Sequence, residues 1–403
     1  MTTTATATAP PPTRTALSAR RLVLYAFMAA ASPLAIDLYL ASFPAIEADL
    51  GASAAGVQLT LTAYVAGVAI GQPVWGPISD RFGRRTPLVV STSLTLVASV
   101  VVVLAPTIEA LVAARFAQAL AASAGMVVVR AMVSDLAPGR EGVRALALLM
   151  TVHAATPVAA PLLGGLLATV LPWRAVLGVF AGIVAVQLLA AVVLVRETLP
   201  PAARVARLSY VDLVRVMRRR PFLVHAATVG LSVGAVMCFV ASSPFVYQEV
   251  LGLSPLVYGI AVAGNALGMV AAGLVSARLA RVGVPPTRTM AAGLAGGLVA
   301  GLLMIAAALS PWPLLLVGPV VLQVFAANLV MSNAMGLAMQ HARGLNGAGS
   351  AMLGFMMFSI SAAVTPVSGL LSEDRPEVVM AAVMTAIVAL AATVFALGVR
   401  SRR

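Results

Sequence analysis

Gly76-Pro77-Ile78-Ser79-Asp80-Arg81-Phe82-Gly83-Arg84-Arg85 decides the fold. Long apolar runs flank it on both sides, so it reads as a short turn between two membrane helices. Gly76 is expected to let helices approach closely, Asp80 to end a helix at the interface, and Gly83 to permit the tight turn. Arg81, Arg84 and Arg85 supply charge that enters a bilayer only at high cost. A plain positively charged turn would account for the arginines but not for Asp80 or Gly76.

The rest of the chain repeats this pattern of apolar run and charged break. Of its 403 residues 61% are apolar and 10% charged, and the mean hydropathy is +1.02. A soluble domain carries roughly a quarter charged residues, so no water-soluble fold can cover this much apolar surface. At about 20 apolar residues per span, the sequence reads as spans at 22–43, 57–79, 87–104, 109–131, 145–168 and 174–195. A second set follows at 222–246, 255–277, 289–309, 312–336, 348–371 and 378–399. Turn-forming or charged residues separate them, among them Pro44-Ala45-Ile46-Glu47, Pro138-Gly139-Arg140 and Pro311-Trp312-Pro313.

The expected architecture is an all-α membrane protein of twelve transmembrane helices in two six-helix halves. Residues 1–20 read as a disordered cytoplasmic tail, 21–195 as the first half, 196–221 as a central cytoplasmic loop, and 222–403 as the second half with a short basic tail. The apolar run after Arg20-Arg21 is too long, and with Asp37 too polar, for a cleaved signal core.

All 26 basic residues are arginine, and with both termini inside, 22 of them fall in cytoplasmic segments. Arg174 and Arg375 lie opposite, and Arg115 and Arg130 sit in or at the edge of the fourth span. That bias sets the orientation. The net charge of +13 is spread thinly between apolar runs, unlike a nucleic-acid-binding face. A single cysteine, Cys238, excludes an intrachain disulfide and a thiolate metal cluster.

The halves echo one another. Gly71, Gly76, Ser79, Arg81 and Arg84 recur 197 residues later as Gly268, Gly273, Ser276, Arg278 and Arg281. Parallel repetition of this kind is one of the transporter architectures.

The Gly76–Arg85 loop resembles the signature G-x-x-x-D-R-x-G-R-R between the second and third helices of the major facilitator superfamily. The second copy has Ala277 and Ala280 in place of Asp80 and Gly83. The resemblance implies that Asp80 docks on the N-terminus of the eleventh helix, near Gly347 to Ala351, in the outward-open state. It also implies that Arg84 pairs with Asp135 at the end of the fourth helix.

Further segments resemble the bicyclomycin-resistance (Bcr/CflA) branch of the drug:proton antiporters. Asp37-Leu38-Tyr39-Leu40-Ala41-Ser42-Phe43-Pro44 is like that branch's D-x-Y-L-P-A-x-P, with Ala41 in place of a proline. Arg115-Phe116-Ala117-Gln118 matches in the fourth helix, although Ala119 replaces the usual glycine. Pro157, Pro161, Gly164 and Gly165 in the fifth helix are similar to the antiporter motif ending in P-x-x-G-G; paired Pro and Gly bend a helix and permit tight contact.

Asp37 is the one acid well inside a span. Intramembrane charges are functional candidates, and Asp37 and Arg115 are expected to face one another across the central cavity. Either Asp37 exchanges protons in step with substrate, or the two form a static salt bridge. His153 could titrate near neutral pH, but a packed role is the commoner one. Tyr39, Gln58, Gln118, Tyr247 and Asn265 are the candidate substrate-cavity residues, and Met352, Met356 and Met357 suit an adaptable apolar surface.

The resulting expectation is a proton-driven exporter of small hydrophobic or neutral antibiotic-like compounds, monomeric and resident in a bacterial inner membrane. It needs no cofactor beyond the proton gradient, no metal and no nucleic acid; its partners are the drug-like substrate, protons and the lipid bilayer. A metabolite or nutrient transporter on the same fold is the alternative. An enzyme would need clustered catalytic side chains within the spans, and an ATP-driven pump a phosphate-binding G-x-x-x-x-G-K-[ST] loop.

Overall fold

A computed structural model describes residues 18–137, 140–205, 211–371 and 375–400. Most of the expected tail, the Pro138-Gly139 break, Arg207, and the side chains of Arg140, Arg144 and His153 lie outside the described residues. Every regular element among the described residues is helical.

The first span is three helices rather than one: α1 (Ala19–Ala29), α2 (Ala31–Asp37) and α3 (Phe43–Leu50), with a 3-10 turn at Leu40–Ser42. It bends by 44° at the first break. Both breaks have a proline cause. Pro33 and Pro44 lack the N–H that would bond the carbonyl four residues back, at Ala29 and Leu40. The span also runs on past the expected end at 43, to Gly51, whose φ of 59° caps α3.

The other spans of the first half are α4 (Ala54–Phe82), α5 (Arg85–Val103), α6 (Ile108–Leu136), α7 (Arg140–Val170) and α8 (Trp173–Leu194). In the central segment, α9 (Val211–Met217) is a short helix that the sequence had marked only as polar loop. The second half holds α10 (Arg220–Phe245), α11 (Pro255–Arg281), α12 (Pro286–Leu309), α13 (Val317–His341), the pair α14 (Asn346–Val364) and α15 (Pro366–Leu370), and α16 (Pro376–Arg400). A π turn, Val246–Val250, continues α10.

Among the described residues ten helices are long and apolar enough to cross a membrane, and the bent first pair makes eleven. In the remaining position stands α7, whose part Ala155–Val170 is an apolar helix. Several helices outrun the apolar stretch that announced them. Ser53 accepts from the Gly56 N–H and Thr107 from the Ala110 N–H, so α4 and α6 start on polar caps outside the hydrophobic core.

Within the first half α4 packs on α6, α6 on α5, and α5 on α8; in the second, α10 packs on α13 and α16, and α12 on α13 and α16. The halves meet along two seams, α4 against α14 and α7 against α11. Glycine makes the close contacts. A Cβ at Gly67 or Gly71 would strike the α6 backbone or Ser123, and one at Gly165 would strike Pro255 and Gly259 of α11. Gly76 is different from expectation: a Cβ there meets nothing within 4 Å. The helix stands off from its neighbours at that point because a cavity lies beside it.

Candidate functional site

The breaks in the first span create the central site. Where α2 stops at Asp37, its last carbonyls lose their helical partners. Arg115, reaching in from α6, supplies a donor: its Nη2 lies 2.8 Å from the Ala35 carbonyl. Its Nη1 donates to Gln118 Oε1 at 2.6 Å. The guanidinium is sandwiched between the Tyr39 and Tyr64 rings, 4.2 Å from each centroid. Arg115 is fully buried, and stacking of a desolvated cation on an aromatic face is worth about 2 kcal/mol or more.

The aromatic walls are themselves pinned. Tyr39 Oη bonds Thr60 Oγ1 at 3.0 Å, and Tyr64 Oη donates to the Ser32 carbonyl at 3.3 Å. Gln118 Nε2 donates to Ser99 Oγ of α5. Gln118 therefore holds Arg115 and braces α5 inside the first half.

Asp37, two residues beyond Ala35, takes no part in this network. The expected facing pair is not formed: Arg115 Nη1 and Nη2 donate to an amide and a carbonyl while its buried Nε has no partner, and among the described residues Asp37 has neither ion pair nor hydrogen bond. Asp37 is buried, with 9% of its surface exposed. In the other half, the Tyr258 hydroxyl of α11 bonds Ser243 Oγ of α10 at 3.2 Å.

Tyr258 stacks edge-on to Tyr247, centroids 6.1 Å apart. Tyr247, on the π turn, lies close to the Asn265 amide without a well-aligned hydrogen bond, so the Tyr247 hydroxyl and both Asn265 side-chain atoms are buried and unsatisfied. Unsatisfied buried polar atoms are costly and call for a partner. Gln58 stands apart, with its Oε1 unsatisfied against Gly369 at the α4–α15 contact.

Around this site the fifth span touches both halves. A Cβ on Gly164 would strike the Leu38 carbonyl, next to Asp37, while Gly165 and Pro161 bear on Pro255 and Gly259 of α11. Pro157 and Pro161 both lie within α7. On the same side of the bundle Gln248 donates to the Ala41 carbonyl, and Phe43 packs on Phe245. That side is sealed.

The opposite, arginine-rich side is not. A cavity of about 570 Å³ opens there between Gln72, Gly76 and Asp80 of α4, Arg130 of α6, and Gly347 to Ala351 at the start of α14. Asp80 faces the α14 N-terminus across this gap, but its carboxylate is held by Arg84 Nη1 at 2.5 Å. Arg84 Nε also reaches Asp135 Oδ2 at 2.9 Å. Gly83, with φ of 88°, makes the turn between α4 and α5. Arg81 projects outward over the Phe82 ring.

Sequence reading missed the anchor of this loop. Glu197 accepts the Arg84 and Arg85 backbone N–H groups at 2.8 and 3.3 Å, as well as those of Thr198 and Leu199. Burial would raise its pKa, but these backbone donors outweigh that and hold the carboxyl below the usual range. Thr198 Oγ1 donates to Asp135 and the Val205 N–H to the Asp80 carbonyl. Only the position of Glu197 just past the sixth span hinted at such a role.

Two repeated bundles, a broken first helix with an acid at its break, and a cavity open on one side define a membrane transporter. The chain belongs to the Major Facilitator Superfamily, whose model matches residues 25–366. It is 34% identical to the uncharacterized MFS-type transporter YdgK of Bacillus subtilis over 90% of both chains. The multidrug resistance protein MdtL of Klebsiella pneumoniae is 32% identical over 57% of this chain and 59% of its own length. Among solved structures, a D-xylose-proton symporter superposes with a TM-score of 0.74 at 12% identity, covering 93% of this chain and 96% of its own. The nucleoside transporter NupG gives 0.73 at 12%, covering 94% and 99%.

Proposed function

We propose that the chain is a proton-coupled exporter of small neutral or hydrophobic antibiotic-like compounds, of the bicyclomycin-resistance (Bcr/CflA) type. The observation that carries this reading is the buried Asp37 carboxylate, which stands without a counter-ion beside an arginine already occupied by other partners. A carboxylate clamped by arginine resists protonation; one left open in a low-dielectric interior can take up and give up a proton. Asp37 is the proton carrier, and its release is tied to movement of the Tyr258 side of the cavity.

The substrate reading rests on what else faces inward. Tyr247, Tyr258 and Asn265 offer neutral donors and acceptors, and Asp37 is neutral whenever it carries its proton. Such a site suits uncharged compounds like amphenicols better than cations. The likeness to MdtL supports drug export for this chain. The arginine bias supports reading the open side, and both termini with it, as cytoplasmic in a bacterial cell. In that frame the structure is inward-facing: Pro161, Gly165 and Gly259 close the outer seam, and the Gly76–Arg85 loop gates the inner one, with Asp80 released from α14.

The test is a resistance panel in an efflux-deficient host, with and without a protonophore. Raised resistance to neutral compounds that the protonophore abolishes supports the reading. No change for any drug, together with uptake of a nutrient, overturns it.

A further inference from the structure

Outside the central pathway, the outer face of the second half carries a second built hollow. Between α12 and α16 lies a groove of about 570 Å³ whose walls include Ala291, Ala295, Phe395 and Ala396, with Thr287 and Arg288 at its mouth. Both helices are among those long and apolar enough to cross a membrane, and neither forms the α4–α14 or α7–α11 seam.

Its dimensions match one leaflet. From Arg288 the groove follows α12 to Leu298, a rise of about 15 Å. That is half the ~30 Å hydrocarbon thickness. The small side chains of Ala291 and Ala295 on α12, and of Ala392 and Ala396 on α16, leave room for a chain. Phe395 gives it an aromatic wall.

Charge identifies the other end of the occupant. Arg278, Arg281 and Arg288 cluster around the short turn from α11 to α12, and none forms an ion pair among the described residues. The described residues offer them no acidic partner. The sequence holds no Asp or Glu between Glu249 and Glu373, and Glu377, at the far end of α16, is bonded to Arg375. The Asp212 and Glu197 carboxylates of the central segment are taken by Arg215 and Arg204. The three exposed arginines therefore stand open to an anion at headgroup depth.

The geometry points to a binding site for an anionic phospholipid, its acyl chain in the α12–α16 groove and its phosphate on Arg288. Arg278 and Arg281 raise the local potential, as basic residues at a membrane surface do. The assignment does not depend on which compound the central cavity moves.

Native mass spectrometry of the purified full chain in detergent tests it, using phosphatidylglycerol and phosphatidylcholine with identical acyl chains. The wild type is expected to retain one phosphatidylglycerol more firmly than phosphatidylcholine. Arg288→Ala lowers that retention about fivefold, and Ala295→Trp, which fills the groove and leaves the charge, lowers it as well. Arg343→Ala, on a rim without the groove, does not. Equal retention of the two lipids, or retention unchanged in both Arg288→Ala and Ala295→Trp, overturns the proposal. Loss in Arg288→Ala alone also overturns it, because it shows surface attraction with no seat for the chain.

Discussion

The Arg115 guanidinium binds the Ala35 carbonyl at 2.8 Å and leaves Asp37, two residues further on, without a counter-ion. The cation is spent on the end of a broken helix and on two tyrosine rings. The acid next to it is free to act.

Arg115 is therefore expected to matter for stability more than its charge suggests. Arg115→Lys keeps the charge but loses the flat stack and the forked donors to Ala35 and Gln118. It should cost roughly 2 kcal/mol or more, read as a lowered melting temperature of the detergent-solubilised protein. A Tyr39→Phe variant retains the stack and loses only the Thr60 hydroxyl bond, so its loss should be smaller, about 1 kcal/mol.

The α7–α11 seam should control which side is open. Gly259→Val places carbons against the Pro161 carbonyl and Gly165, and overpacking of this kind costs about 1–3 kcal/mol. Only the outer-closed state bears that cost, so the population shifts outward. A cysteine at Gln248 reports it: thiol labelling should rise in the Gly259→Val background. Cys238 is buried and gives little background.

Glu197 gives the gating loop an acid-labile anchor. Its pKa is depressed in the folded protein, so its contribution is complete above the unfolded carboxyl value of about 4.3 and is lost as pH falls from there through the folded value. Thermal stability of the wild type should drop over that window. Glu197→Gln should be less stable than the wild type at pH 7 and should show a flatter acid limb.

The spans and the turn between α4 and α5 were legible because each rests on local chemistry. Twenty apolar residues need a bilayer, and arginines beside Gly83 need a turn at its surface. What was hidden depends on long-range choices. Whether Arg115 takes Asp37 or the Ala35 carbonyl is decided by the helix break, which Pro33 and Pro44 announced without showing the consequence. Tyr64, which stacks on the arginine from α4, and Ser99, which braces Gln118 from α5, look like ordinary helix residues. Glycines misled in the same way: Gly76 belongs to the motif but touches nothing, while Gly67 and Gly71 carry the α4–α6 contact. Glycine at a helix face allows close approach without saying which neighbour uses it.

In the proposed mechanism Asp37 carries the proton. Inverted membrane vesicles with an imposed pH gradient give the most direct measurement, with a neutral compound to which the wild type confers resistance as the probe. Adding the compound should discharge the gradient through the wild type. Asp37→Asn, present at equal level in the membrane, should leave the gradient intact. Equal discharge by Asp37→Asn and wild type would contradict it.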